Sequence, residues 1–178
     1  MAKLKVSDEW WTCPAEAENG KLIMVTGRAN MEEIIATGKY NTRVEITWKY
    51  EEDKDGMPDV ATSSLMEEVQ DALQADFMKD PVAVLTGIYT GNGERTWVFY
   101  VMSVKIFERK LNEDLAKFDL LPITLYVEND VPYMIFCHEW LQTVDGEMCV
   151  VELSKDLKTA VGEPKVLFRA SESGWAIR

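Results

Sequence analysis

The order of elements between residues 41 and 127 constrains this chain more than any other feature. In residues 41–50, Val44, Ile46, Trp48 and Tyr50 fall on one side, and Arg43, Glu45, Thr47 and Lys49 on the other. A period of two predicts a strand with one buried and one wetter face. Residues 62–78 carry Leu65, Met66, Val69, Leu73 and Phe77 at helical spacing, with Ser64 and Glu67 spaced as a capping box. Pro81 opens a β-branched strand to Tyr89, Thr90-Gly-Asn-Gly93 is turn chemistry, and residues 94–101 return as a strand. A second helix is predicted over 104–118, with Val104, Phe107, Leu111, Leu115 and Phe118 on one stripe, followed by a strand over 120–127.

The order is therefore β-α-β-β-α-β. Right-handed crossovers would put both helices on one face of a four-stranded antiparallel sheet, the ferredoxin-like arrangement of an α+β fold. An N-terminal extension precedes it: a strand over 21–28 and a helix over 30–37, with Asn30 and Glu33 as a capping box and Gly38 as the stop. The Trp10-Trp11 pair is expected to fold back onto the core. After Asp130 the texture changes to strands without helices, over 131–137, 147–153 and 165–169, with Asp145-Gly146 as a turn. Together with 120–127 these are expected to form a C-terminal β-meander the size of one propeller blade. The expected division is a first domain over 1–127 and the meander over 128–178.

Charge narrows the function. Asp and Glu total 31 against 19 Lys and Arg, a net charge of −12. Nucleic acid and anionic membranes call for a basic footprint, so neither is an expected partner. No apolar run approaches the roughly 18 residues of a membrane span. The first eleven residues lack the apolar stretch of a secretory signal, so a cytoplasmic location is expected. The three cysteines, Cys13, Cys137 and Cys149, form no CxxC pair, and His138 is the single histidine. That leaves little material for a metal site or a Ser-His-Asp triad, and no cofactor is expected.

Two stretches carry family resemblances. Trp10-Trp11, Asp55-Gly-Met-Pro-Asp59, Thr90-Gly-Asn-Gly-Glu-Arg-Thr-Trp-Val-Phe-Tyr100 and Leu121-Pro-Ile-Thr-Leu-Tyr-Val-Glu-Asn-Asp130 resemble a bacterial family known as domain of unknown function 695. That resemblance covers residues 1 to about 127 and implies no activity. Residues 124–140, ending in His138-Glu139-Trp140, and residues 152–172 resemble a propeller blade of the family 43 glycoside hydrolases. Those enzymes invert with three acids, the general acid and base held roughly 6.5–9.5 Å apart. Pro122 stands where the resemblance would place the tuning acid, the first-blade acid has no counterpart, and the third would lie past Arg178. The resemblance thus implies a carbohydrate-related but incomplete and inactive unit, joined to the first domain near Thr124–Asp130. Were it active, its substrates would be arabino- or xylo-oligosaccharides.

Among candidate sites, Glu51-x-Asp53-x-Asp55-Gly56 has the first half of a calcium loop, but position twelve is Thr62. A solvated acidic loop feeding a helix N-terminus is the expected reading. The glycines at 91 and 93 join two strands, so no helix end follows to hold a phosphate. Arg95 and Trp97 share a strand face and could form a stacking platform, although packing of Trp97 is the plainer reading. His138, Glu139 and Trp140 are the candidate carbohydrate contacts. The sequence therefore predicts a non-catalytic binding or interaction module of unknown ligand. The alternative is the inactive carbohydrate-related protein, and a third possibility is homo-oligomerisation through a free sheet edge.

Overall fold

A computed structural model describes residues 5–17, 19–129, 141–144, 147–153, 160–171 and 174–177, the last four stretches as strand backbone. Six strands and three helices make up the part through residue 129. In chain order they are β1 (Trp10–Ala17), β2 (Leu22–Arg28), α1 (Glu32–Ala36), β3 (Thr42–Lys49), α2 (Val60–Lys79), β4 (Ala83–Gly91), β5 (Glu94–Val101), α3 (Val104–Leu115) and β6 (Ile123–Glu128). Four strands follow: β7 (Leu141–Val144), β8 (Glu147–Leu153), β9 (Ala160–Ser171) and β10 (Gly174–Ile177). All join one mixed sheet in the order β6-β3-β5-β4-β2-β1-β10-β9-β8-β7. Every neighbouring pair is antiparallel except β1 with β10.

Alternation in β5 builds two cores, one on each side of the sheet, and alternation in β3 adds to the helix-side one. Val44, Ile46 and Trp48 of β3 oppose Phe99, Trp97 and Arg95 of β5, and all point to the side covered by α2 and α3. Met66, Val69, Leu73 and Phe77 of α2 and Phe107 and Leu111 of α3 close that core. Its centre is three phenylalanines, with Phe77 stacked on Phe107 at 5.4 Å and Phe99 tilted against Phe107 at 5.2 Å. On the other side, Val84, Val98 and Tyr100 are covered by Val6, Met31, Ile34 and Tyr40, which come from the N-terminal segment and the α1 region. The Trp pair divides between the sides, since consecutive strand residues alternate: Trp10 packs beside the helix-side core and Trp11 against the Ala15, Ala17, Ile23 and Val25 cluster.

Several expectations are corrected here. Residues 10–17 are a strand, pairing with β2 along most of its length. Asn30 does not cap α1. It takes a left-handed φ of 56° and donates from Nδ2 to Glu9 Oε2 at 2.6 Å, so the helix starts at Glu32 without a side-chain cap. Gly38, with φ of 61°, does sit just past the end of α1. Nor does Ser64 cap α2: Asp59 accepts from the Thr62 N–H at 2.7 Å, and the helix begins at Val60. The strand expected over 120–127 runs from Ile123 to Glu128 and pairs with β3, so it does not open the C-terminal meander. That meander is β7-β8-β9-β10, at the opposite end of the sheet. Residues 131–137, expected as a strand, lie outside the described residues.

Candidate functional site

Two of the motifs meet in space at one end of the sheet. Asn92 and Gly93 have φ of 52° and 82°, the left-handed pair a two-residue type I′ turn needs, so β4 and β5 join tightly. Loop 51–59 folds over that turn. Tyr50 N–H donates to Gly93 O at 3.0 Å, Gly93 N–H donates to Gly56 O at 3.2 Å, and the Tyr50 hydroxyl donates to the same carbonyl at 2.9 Å. Gly56 is required there: its φ is 89°, and a Cβ would lie 2.9 Å from the Asn92 nitrogen. Lys21 clamps the loop through an ion pair with Glu52.

The loop's acids serve the loop itself. Asp53 Oδ1 accepts from the N–H groups of Asp55 at 2.8 Å and Met57 at 2.9 Å, and these bonds hold its carboxyl below the usual range. Asp59 is likewise lowered, by its bond from the Thr62 N–H. Among the described residues, no group of three or more His, Cys, Asp or Glu is placed to hold a metal ion.

The turn sets Thr90 opposite Arg95 on the helix side of the sheet. Arg95 Nε donates to Thr90 Oγ1 at 2.8 Å. The guanidinium is partly exposed and makes no ion pair among the described residues. Burial lowers its pKa, opposed by the nearby charges of Glu67 and Tyr50. Tyr50 is pushed up to about 12, chiefly by burial; Arg95 pulls against that, while Glu52, Asp53 and Glu94 add to it. Arg95 thus stands among several acidic side chains, of which Glu52 is paired with Lys21.

Trp97 is not a platform. It is 0% exposed, its ring lies edge-on to Trp48 at 6.3 Å, and its Nε1–H donates to Gln70 Oε1 at 2.8 Å. No face remains for a ligand to stack on. What Trp97 does is fix Gln70 on the flank of α2. His138, Glu139 and Trp140 lie outside the described residues.

The surface that adjoins Arg95 begins at the edge of the helix layer. α2 packs over β4 and against α3, so the helix layer ends there. The sheet continues beneath to β2 and β1. Registers carry the helix-side face outward from Thr90 and Ile88 to Met24 and Thr26 of β2, then to Pro14 and Thr12 of β1. Thr12 and Thr26 share a hydroxyl–hydroxyl hydrogen bond of 3.0 Å. Met24 and Thr26 are half-buried, and Thr12 and Pro14 exposed. The result is a shelf: a sheet floor with α2 as its wall. Ser63, Glu67, Gln70 and Gln74 recur at helical spacing along that helix and are all partly or fully exposed. Arg95 stands at one end of the shelf. Arg28 stands at the other, buried at 3%, donating to Leu85 O and Ser7 O under the Trp10 ring. A separate concavity of about 830 Å³ near α1 is lined by Lys5, Asp8, Glu9, Glu32 and Glu33, all exposed.

No helix among the described residues is long and apolar enough to cross a membrane. One family model, described as a family of unknown function (DUF695), matches residues 9–138. The match takes in both motifs at the Arg95 end and runs past the joint expected near residues 124–130. Nothing in the comparisons supports the glycoside hydrolase resemblance. No curated protein and no solved structure matches the chain.

Proposed function

Because the chain belongs to DUF695, a family of unknown function, its role must be read from its own geometry, and we propose that it is a non-catalytic, cytoplasmic binding module. Its ligand would seat on the shelf beside α2 and place an anionic group on Arg95. The observation that carries this reading is the state of Arg95. A guanidinium has five donors in a fixed fork. This one is held by Nε to Thr90 and has its remaining donors free of any ion pair among the described residues. Such a group is already oriented, and a carboxylate can meet it with two parallel bonds.

The non-catalytic part of the reading is supported by Tyr50, the hydroxyl beside Arg95. With its pKa near 12 and its proton engaged by Gly56 O, it is a poor acid or base at neutral pH. The finer fold reading also belongs here. The order β6-β3-β5-β4, with α2 and α3 as the connections, supports a ferredoxin-like unit over residues 42–128 to which β2 and β1 add the floor of the shelf.

Calorimetric titration with a panel of small carboxylates tests the proposal. At least one should bind, and Arg95→Ala should weaken it about tenfold or more, the loss expected for a charge-assisted pair. Arg95→Lys keeps the charge but not the fork and should recover only part. Binding that is unchanged in Arg95→Ala, or a wild-type protein that binds none of the panel, overturns the reading.

A further inference from the structure

The geometry points to a zwitterion as the ligand class: a small molecule or chain end that sets a carboxylate on Arg95 and an ammonium on Glu67. This rests on the reading of Arg95 as an anion seat and adds what lies opposite it. Trp97 and Gln70 are joined by a 2.8 Å hydrogen bond, which fixes the register of α2 over β5. From that tie both elements run toward the same end of the sheet, because α2 descends as β5 does: one follows β3 and leads to β4, the other follows the β4 turn. Two residues along β5 is roughly 6.6 Å, and three along α2 is about 4.5 Å. That step takes Trp97 to Arg95 and Gln70 to Glu67, so the two charges face each other across the head of the shelf.

They do not close on each other. The four ion pairs among the described residues include neither Arg95 nor Glu67. A cation and an anion that face across a polar shelf without touching leave a gap a zwitterion can bridge with both ends satisfied. The surround argues for the same class. Asp53 and Glu94 lie near the same end, as does Glu52 paired with Lys21, so a phosphate or polyanion meets repulsion from the carboxylates. A ligand that brings its own positive charge does not. Thr90 Oγ1 and Gln70 Oε1 already accept from Arg95 and Trp97, so the two charges are the strongest specific contacts, with the Gln70 amide N–H groups as secondary donors.

The experiment is calorimetric titration of the full chain with acetate, inorganic phosphate, glycine, β-alanine and γ-aminobutyrate. At least one of the three amino acids is expected to bind ten times tighter than acetate and tighter than phosphate. Glu67→Gln should erase that advantage without weakening acetate, whereas Arg95→Ala should weaken acetate and the amino acids together. Circular dichroism confirms that both variants fold. Acetate or phosphate binding as tightly as every amino acid, or an amino-acid advantage that persists in Glu67→Gln, overturns the zwitterion inference while leaving Arg95 as an anion seat. Absence of binding by all five overturns both.

Discussion

Two stretches of the same sheet face lie side by side and have opposite characters. Under α2 and α3 the face carries Val44, Ile46, Trp97, Phe99 and Val101, packed shut. Two strands further on it carries Met24, Thr26, Thr12 and Pro14, half-buried or open. Strand pairing continues across the boundary, with one irregularity between Leu85 and Gly87 of β4. What changes is the cover. A strand face becomes core only where another element supplies apolar area to bury it, and the helix layer ends over β4. The same helix marks the boundary: its Met66, Val69, Leu73 and Phe77 face the core, while Glu67, Gln70 and Gln74 run along the shelf.

Substitution across the boundary should show this difference at its largest. Phe107→Ala removes a ring that is fully buried between Phe77 and Phe99 and should cost about 3–5 kcal/mol in urea unfolding. Thr26→Ala, on the shelf, loses one exposed hydroxyl contact and should stay within about 0.5 kcal/mol. Comparable losses at the two positions would mean that the shelf is covered core.

Gln70 lies on the boundary itself. Gln70→Ala leaves the buried Trp97 N–H without its acceptor, a loss of about 1–3 kcal/mol. Gln70→Glu keeps an acceptor and should recover most of it. If both variants unfold alike, the hydrogen bond is not what aligns α2 with β5. A further prediction concerns the clasp at the Arg95 end. Gly56→Ala combines a left-handed φ with a backbone contact at 2.9 Å and should cost about 1–3 kcal/mol. Because the clasp holds the turn that aligns Arg95 with Thr90, carboxylate affinity should fall along with the melting temperature. A drop in stability with affinity intact would separate the clasp from the site.

The core half was the legible half. Alternation in 41–50, the apolar stripes of the two long helices and the Asn-Gly turn each carry a physical signature that tertiary context did not override. β1 was not legible because its inward residues are Ala15 and Ala17, too small to signal a buried face, and Pro14 interrupts the run. Asn30 misled because a side chain able to cap can equally take a left-handed turn and bond elsewhere. Arg95 was readable as a candidate, but Trp97 was not separable from it. Both sit on one face, and only the position of α2 decides which is covered. One signal for the shelf is present in the sequence: polar residues at 63, 67, 70 and 74 follow helical spacing beside the apolar stripe. A second polar stripe on a helix that is otherwise half core marks where its cover ends.

The smallest expected effect lies within the covered half, where α2 and α3 also meet through charge. Lys110 of α3 bridges Asp76 at 2.6 Å and Asp80 at 3.5 Å of the α2 end. One turn along α3, Asp114 has a buried Oδ2 without a hydrogen-bond partner among the described residues. Burial, and then the Asp76 charge, raise its pKa. The folded carboxyl therefore keeps its proton to higher pH than the unfolded one, whose ordinary value is about 3.9. Stability falls as pH rises from that value through the folded one, and the loss stays constant above it. Asp114→Asn has no proton to lose, so it should melt above the wild type at pH 7, with the gap closing below about pH 4. A wild type that is the more stable at pH 7 would mean that Lys110 and Lys117 hold Asp114 as a favourable anion. The helix layer would then be fastened by charge on its outer side as well as by the phenylalanines beneath it.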